Sequence, residues 1–142
     1  MSSHSKGIAL VTGAAARIGR AIALSLAQSG WTVAVHFGNA ATAAGETVEE
    51  IKTGGGNAKA FQANLTDEKE VTGLISSVKD HLGSVTCLIN NASVFEKDSI
   101  ESATRETWDA HMEVNLRAPF VLCQALMKNL PEEGAANIIN IL

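Results

Sequence analysis

Residues 8–37 read IALVTGAAARIGRAIALSLAQSGWTVAVHF, a stretch in which two apolar runs enclose a helical pattern. The first run, Ile8–Thr12, ends at Gly13, and the second run is Thr32–Phe37. Between them a helix is predicted over Arg17–Ser29, because apolar residues recur there at helical spacing. The stretch therefore predicts a strand, a helix and a second strand parallel to the first.

The rest of the chain continues this alternation of apolar runs and helical patterns. In order, the predicted elements are a helix over Ala40–Thr53, a strand over Ala58–Gln62, a helix over Asp67–Leu82, a strand over Val85–Asn90, a helix over Thr107–Asn129 and a strand over Asn137–Leu142. The strands are continuous apolar runs, as expected when both faces of a parallel sheet are covered. Right-handed crossovers then predict a three-layer α/β/α fold with a doubly wound parallel sheet.

Composition limits the classes of function that this chain can have. Its 142 residues correspond to one domain, and its net charge of −4 lacks the basic footprint of a nucleic-acid-binding protein. Cys87 and Cys123 have no metal-site spacing, and two free thiols fit a reducing cytoplasm. The polar segment Met1–Lys6 does not match a signal peptide, and no apolar run approaches the ~20 residues of a membrane span. We therefore expect a cytoplasmic protein with no metal, membrane or nucleic-acid partner.

The first strand runs directly into Thr12-Gly13-Ala14-Ala15-Ala16-Arg17-Ile18-Gly19 and then into a helix. Gly13 permits a tight turn, the small residues let backbone N–H groups approach a ligand, and Gly19 permits close packing of helix and strand. A helix N-terminus in this position favours a pyrophosphate. The alternative interpretation is a tight turn that binds nothing.

A second polar segment, Asn90-Asn91-Ala92-Ser93, ends the fourth strand. The carboxyl ends of the first and fourth strands flank the point where the strand order of such a sheet reverses, and ligands bind there. The glycine turn and this segment are therefore expected to meet in one crevice.

Together these two segments resemble the short-chain dehydrogenase/reductase family, with its TGxxxGxG turn and NNAG segment. The resemblance covers the whole chain as the N-terminal part of a family subunit, and it implies a Rossmann-type dinucleotide-binding domain over residues 1–142. Asn64 and Leu65 resemble the family's adenine contact, and Asn115 matches the helix asparagine of its active site. The resemblance implies a cofactor site formed by Thr12, Gly13, Ala15, Arg17, Ile18, Gly19, His36, Asn39, Asn64, Leu65, Asn91, Ala92 and Ser93.

Two residues depart from the family pattern. Arg17 stands where the family usually has its second glycine, and Ser93 replaces the last glycine of NNAG. At both positions the sequence resembles the pteridine-reductase-like branch of the family. This resemblance implies that Phe95 matches the aromatic residue that stacks on the pterin ring. The implied activity is hydride transfer to or from a small carbonyl or a pterin-like C=N group. An ordinary loop anchor is the alternative for Phe95.

The region after the second strand favours NADP over NAD. It reads His36-Phe37-Gly38-Asn39, with no carboxylate before Glu46, so a 2′-phosphate meets no like charge there. Arg17 is a candidate for the positive charge that would bind the 2′-phosphate, and the alternative is a solvated arginine at the start of the helix. The pteridine-reductase-like branch usually has a further arginine at the position where this chain has Asn39.

The catalytic residues of the family are only partly present. The family reaction needs a Tyr-x-x-x-Lys pair, and the chain contains no tyrosine. The resemblance therefore implies that these residues hold the cofactor half of a site and are inactive alone. Asn115 is the expected catalytic-helix residue, because Pro119 has no N–H to bond its carbonyl, which would then accept from a relay water. A simple kink at Pro119 is compatible with this role.

The carboxyl-terminal apolar residues and the long helix both predict partners. Ile138, Ile139, Ile141 and Leu142 resemble a buried strand that a further part of the subunit or another chain covers. The helix 107–129 is apolar on nearly all sides, so we expect a homodimer or homotetramer through it. Val114, Val121 and Leu122 are the residues expected at the contact, and a later helix of the same subunit is the alternative cover.

Other classes of function fit less well. A non-catalytic dinucleotide-binding sensor is the main alternative to an enzyme. His111-Met112-Glu113 matches half of a zinc deaminase motif, but its P-C-x-x-C partner is absent, and His4, His81 and His111 lack metal-like spacing. Ser93 is not in the G-x-S-x-G turn of a hydrolase.

Overall fold

The computed structural model describes residues 5–142, so Met1–His4, including the start of the polar segment and His4, lie outside the described residues. The described elements are β1 (Ile8–Val11), α1 (Arg17–Gln28), β2 (Thr32–Phe37), α2 (Ala41–Thr53), β3 (Asn57–Gln62), α3 (Glu68–Leu82), β4 (Val85–Asn90), α4 (Arg105–Met112), a π-helical turn (Glu113–Arg117), α5 (Ala118–Asn129) and β5 (Asn137–Asn140).

Across residues 5–142 the strands form one parallel sheet in the order β3-β2-β1-β4-β5. The chain leaves β1 in one direction towards β2 and β3, and later returns to the other side of β1 to form β4. This confirms the predicted doubly wound fold, with the order reversing between β1 and β4.

The strands β1 to β4 each contribute to two separate cores. Leu10 and Leu88 lie in the core shared with α3 and α5, whereas Ala9, Val11 and Ile89 lie in the core shared with α1 and α2. Successive strand residues point to opposite faces, so a strand needs apolar residues at every position when both faces are covered. The three-layer α/β/α arrangement follows from this.

The predicted helix 107–129 is instead a helical stretch of three parts. It begins at Arg105, after a capping box between Thr104 and Thr107, and its middle is the π-helical turn. Here the Ala118 N–H donates to the Glu113 carbonyl, five residues back. The turn ends directly before α5, where Pro119 lacks an N–H. A π-helical turn therefore accompanies Pro119 at the place where a simple kink was the alternative.

The faces of this helix are the reverse of those predicted. Val114, Val121 and Leu122 were expected at a subunit contact, but all three are buried in the chain itself. Val121 and Leu122 pack in the core beside α3, and Val114 lines a cavity. The exposed apolar stripe consists of Met112, Leu116, Phe120 and Met127. The prediction was wrong because sequence spacing identifies two apolar faces of a helix but not which one turns towards the sheet.

The carboxyl-terminal run is also more exposed than expected. Ile138, Ile139 and Ile141 are between 40% and 45% exposed, and Leu142 is fully exposed. The exposure arises because β5 is an edge strand and pairs only with β4 in the described sheet.

None of the helices formed by residues 5–142 is long and apolar enough to cross a membrane.

Candidate functional site

Three cavities open at the carboxyl ends of the strands. The first, about 430 Å³, is lined by Gly13, His36, Gly38, Asn39, Gln62, Ala63, Asn64, Leu65, Glu70, Ala92 and Val114. The second, also about 430 Å³, is lined by Gly13, Ala16, Arg17, Ile18, Gly19, Asn91, Ala92, Ser93, Ile141 and Leu142. The third, about 480 Å³, is lined by Asn90, Ala92, Ser93, Asn115, Leu116, Pro119, Phe120, Cys123, Asn140, Ile141 and Leu142. They adjoin one another, since Ala92 lines all three.

Glycine is required twice in the turn after β1. Gly13 has a φ of +62°, and a Cβ there would lie 3.0 Å from the Ala92 Cα. A Cβ on Gly19 would lie 2.1 Å from the Gly13 carbonyl oxygen and 2.5 Å from the Asn91 side-chain nitrogen. Both glycines therefore hold the turn, the start of α1 and the end of β4 in close contact.

The start of α1 is open towards the second cavity. Its N-cap residue is Ala16, and no side chain of the described residues caps this end. By contrast, the Asp67 side chain accepts from two N–H groups at the start of α3. The first N–H groups of a helix have no partner within it, so α1 presents unpaired donors and a positive potential to the cavity. This end of the helix can bind an anion such as a phosphate.

Arg17 combines exposure with an uncommon backbone conformation. Its φ is +53°, in the left-handed region that favours glycine, and its side chain is exposed beside the second cavity. Such a conformation costs a non-glycine residue about 1–3 kcal/mol. This explains why a glycine is common at this position in the family, and it places a cation beside the open end of α1.

Thr12 joins the two strands that flank the reversal point. Its buried hydroxyl accepts from the backbone N–H groups of Asn91 and Ala92, both at 3.0 Å. In return, the Asn91 side-chain amide donates to the Thr12 carbonyl at 3.0 Å. Thr12 and Asn91 thus hold the two loops together behind the cavities.

His36 links the ends of the first three strands. Its Nδ1 accepts from the Gly13 N–H at 3.0 Å, so Nε2 carries the hydrogen and donates to the Ala63 carbonyl at 2.9 Å. Burial lowers the pKa of this histidine below its ordinary value of 6.5, although the bond to Ala63 opposes that shift. A neutral His36 with a single tautomer therefore forms part of the first cavity's wall.

The far wall of the first cavity is polar. The Asn64 side chain accepts from the Thr66 N–H at 3.0 Å, and the Asn64 N–H donates to the Glu70 carboxylate at 2.6 Å. Glu70 is the only carboxylate among the described lining residues of this cavity. The sequence did not predict Glu70 at this site, because a carboxylate in the first turn of a helix is common and carries no signal for a cavity.

Asn115 lies beside the third cavity and bonds to the loop after β4. Its side-chain oxygen accepts from the Val94 N–H at 2.8 Å, and its amide donates to the Val94 carbonyl at 2.9 Å. Nearby, the Asn90 side-chain oxygen is buried without a hydrogen-bond partner among residues 5–142. Phe95 is 85% exposed and lies outside all three cavities.

The structure gathers most of the predicted cofactor residues around the first two cavities. Those that line them are Gly13, Arg17, Ile18, Gly19, His36, Asn39, Asn64, Leu65, Asn91, Ala92 and Ser93. Thr12 and Ala15 lie behind the surface, where the Ala15 carbonyl accepts from Thr47 at 3.3 Å. Gly38, Gln62 and Ala63 were not predicted. Within the described part of the chain, no group of three potential ligand side chains could hold a metal ion.

Comparison with known proteins supports the family resemblance. A family model described as short chain dehydrogenase matches residues 7–142. The chain is 36% identical over 141 residues to a 3-oxoacyl-[acyl-carrier-protein] reductase of Synechocystis sp., covering 99% of this chain and 57% of that protein. It is 37% identical over 133 residues to the 3-oxoacyl-[acyl-carrier-protein] reductase FabG of Staphylococcus aureus, covering 94% of this chain and 54% of that protein.

Solved structures show the same fold. FolM alternative dihydrofolate reductase 1 from Brucella canis, complexed with NADP, superposes with a TM-score of 0.91 at 36% identity, covering 96% of this chain and 55% of that one. The angucycline C-6 ketoreductase LanV with bound NADP gives a TM-score of 0.86 at 38% identity, covering 96% and 55%. The chain therefore spans about half the length of the relatives that it matches.

Proposed function

This chain belongs to the short-chain dehydrogenase/reductase family, and we propose that it binds NADP(H) for a hydride-transfer reaction. The observation that carries the proposal is the convergence of the open α1 N-terminus with the first two cavities at the reversal point of the sheet. The bound nicotinamide supplies or accepts the hydride. The 142 residues act as a single dinucleotide-binding domain.

The residues present fit such a cofactor. The N–H groups of Arg17, Ile18 and Gly19 would hold the pyrophosphate, because no side-chain hydrogen bond caps this end of α1 and the three residues line the second cavity. His36, Asn39, Asn64 and Leu65 would line the adenosine part in the first cavity. Ala92 and Ser93 would hold the nicotinamide end, beside Asn115, whose backbone carbonyl we assign to a relay water.

The charges around these cavities support NADP rather than NAD. Gly38 and Asn39 line the first cavity where a carboxylate would repel a 2′-phosphate. Glu70 is the one described lining residue of this cavity whose charge opposes a 2′-phosphate, and its carboxylate accepts from the Asn64 N–H. Arg17 provides an exposed guanidinium in the adjoining turn. Solved structures of several relatives contain bound NADP, among them FolM and LanV.

The substrate that we propose is a small molecule with a carbonyl group or a pterin-like C=N bond. Relatives are named as 3-oxoacyl reductases, a ketoreductase and an alternative dihydrofolate reductase, which together span both bond types. The pteridine-reductase-like assignment rests on Arg17, Ser93 and the exposed ring of Phe95, which we place at the substrate.

We also propose that copies of the chain associate through the helix 105–129. The exposed apolar stripe of Met112, Leu116, Phe120 and Met127 supports this, since its members are between 38% and 65% exposed. This exposed stripe takes the place of Val114, Val121 and Leu122, which the sequence had predicted at the contact and which are buried. A homodimer or a homotetramer would bury this stripe.

Titration with NADPH and NADH tests the cofactor assignment. Because a hydrogen bond to a charged group contributes roughly 1.5–3 kcal/mol, we expect NADPH to bind about ten- to a hundredfold more tightly. Arg17→Ala should reduce this preference. Arg105→Ala is the control, since Arg105 is exposed on α4 and pairs with Asp109. Equal affinities, or an unchanged preference in Arg17→Ala, would contradict the assignment.

A further inference from the structure

His111 has two hydrogen bonds that the proposed function does not use. Its Nδ1 lies 2.6 Å from the Thr107 carbonyl oxygen, and its Nε2 lies 3.0 Å from the Glu96 backbone nitrogen. A carbonyl only accepts, so Nδ1 carries the hydrogen and Nε2 accepts from the Glu96 N–H. One tautomer of His111 therefore links α4 to the loop after β4.

The segment Val94–Glu96 is held on both sides of Phe95. Asn115 binds the backbone N–H and carbonyl of Val94, and His111 binds the N–H of Glu96. His111 and Asn115 are four residues apart along the helical stretch, which puts their side chains on neighbouring positions of one face. The loop is therefore tied to this face at two points.

Phe95 lies between the two ties and contacts His111 directly. The two rings have centroids 6.5 Å apart and an interplanar angle of 80°, an edge contact. The Phe95 side chain is otherwise 85% exposed. Because the ring contacts His111 on one side only and is largely exposed, it offers a surface to a flat ligand, two residues from Ser93 at the rim of the second and third cavities.

We propose that His111 is a positioning residue, which sets the place and orientation of Phe95 by binding the Glu96 N–H and by its T-shaped contact with the phenyl ring. This inference rests on the proposed function, in which Phe95 is at the substrate. Its effect belongs to the substrate and not to the dinucleotide, since His111 lies outside the first and second cavities.

Two substitutions separate the bonds of His111. His111→Asn keeps a donor near the Thr107 carbonyl but loses the acceptor for Glu96. His111→Gln keeps an acceptor that reaches Glu96. His81→Asn is a matched control, because His81 makes the same contact to a carbonyl four residues back, Ser77, and an edge contact with Phe61. Among the described residues, the Nε2 of His81 makes no hydrogen bond to a loop.

The first readout is NMR of the protein. Loss of a bond contributing about 0.5–1.5 kcal/mol should speed exchange of the Glu96 amide about two- to tenfold in His111→Asn. His111→Gln should restore protection of Glu96, and His81→Asn should leave it unchanged. Equal exchange of Glu96 in wild type and His111→Asn would overturn the proposal.

The second readout is binding, with dihydrofolate as the probe and NADPH present. We expect His111→Asn to raise the Kd for dihydrofolate about two- to tenfold with little change in the Kd for NADPH, and His111→Gln to reverse part of this. A Kd for dihydrofolate that His81→Asn raises equally would overturn the proposal. If wild type binds no NADPH, the proposed function fails instead, and the NMR readout still tests His111.

Discussion

Gly19 is the residue at which local sequence and long-range packing agree most closely. It lies in the first turn of α1, where a side chain would meet both the Gly13 carbonyl and the Asn91 amide. Asn91 is far away in the sequence and belongs to the end of β4. The close approach of these three residues keeps the open helix end beside the cavities.

Gly19→Ala should therefore damage both folding and ligand binding. We expect a loss of about 1–3 kcal/mol in the free energy of unfolding, because the added methyl forces backbone atoms apart, together with weaker NADPH binding. Urea denaturation and NADPH titration measure the two effects.

Gly73→Ala is the control for that experiment. Gly73 lies within α3, and a Cβ there would meet nothing within 4 Å. The same chemical change should raise stability by about 0.5–1 kcal/mol, because glycine is unfavourable inside a helix. If Gly19→Ala behaved like Gly73→Ala, the close approach in the turn would not matter.

At the scale of elements, the helical stretch 105–129 has two apolar faces with different roles. Val121 is 4% exposed and packs in the core with α3, whereas its neighbour Phe120 is 54% exposed and lies 5.7 Å from the Arg117 guanidinium. Neighbouring residues of one helix thus distinguish an internal contact from a surface available to another copy.

Val121→Glu and Phe120→Glu should consequently have different effects. Val121→Glu buries a charge and should lower the free energy of unfolding by roughly 3 kcal/mol or more. Phe120→Glu should cost less than about 1 kcal/mol and shift the protein towards monomer. Urea denaturation and sedimentation velocity give the two quantities. A wild type that is monomeric at micromolar concentration, or a Phe120→Glu variant that stays fully associated, would contradict the contact.

At the scale of the whole molecule, the described residues form one side of the crevice and leave the β5 edge of the sheet exposed. The third cavity is bounded at this edge by Asn140, Ile141 and Leu142, and the buried Asn90 oxygen beside it has no partner within residues 5–142. The chain has no tyrosine to act as the family's proton donor.

We therefore expect the 142-residue chain to bind NADPH without catalysing turnover. The groups that we propose for dinucleotide binding all lie within it, whereas the tyrosine of the family's catalytic pair does not. Nicotinamide absorbance, followed with dihydrofolate and with acetoacetyl-CoA, tests this. Turnover above the uncatalysed rate from a homogeneous sample would show that another group of this chain moves the proton.

The element order and the meeting of the two loop segments in one crevice could be predicted from local pattern. Two apolar runs around the helical pattern of residues 8–37 are sufficient for the strand–helix–strand unit, since periodicity and glycine position act within a few residues. The order of strands then follows from the handedness of crossovers, and it brings the Gly13 turn beside Asn91.

Contacts between distant segments depended on packing and had no local signal. The inward face of the helix 105–129, the Glu70 carboxylate in the first cavity and the exposure of β5 are examples. The bond between His111 and Glu96 is another. In each case two or more orientations fit the same sequence spacing, and the choice rests on which surface the neighbouring element covers, a free-energy difference that exists only once the chain is folded.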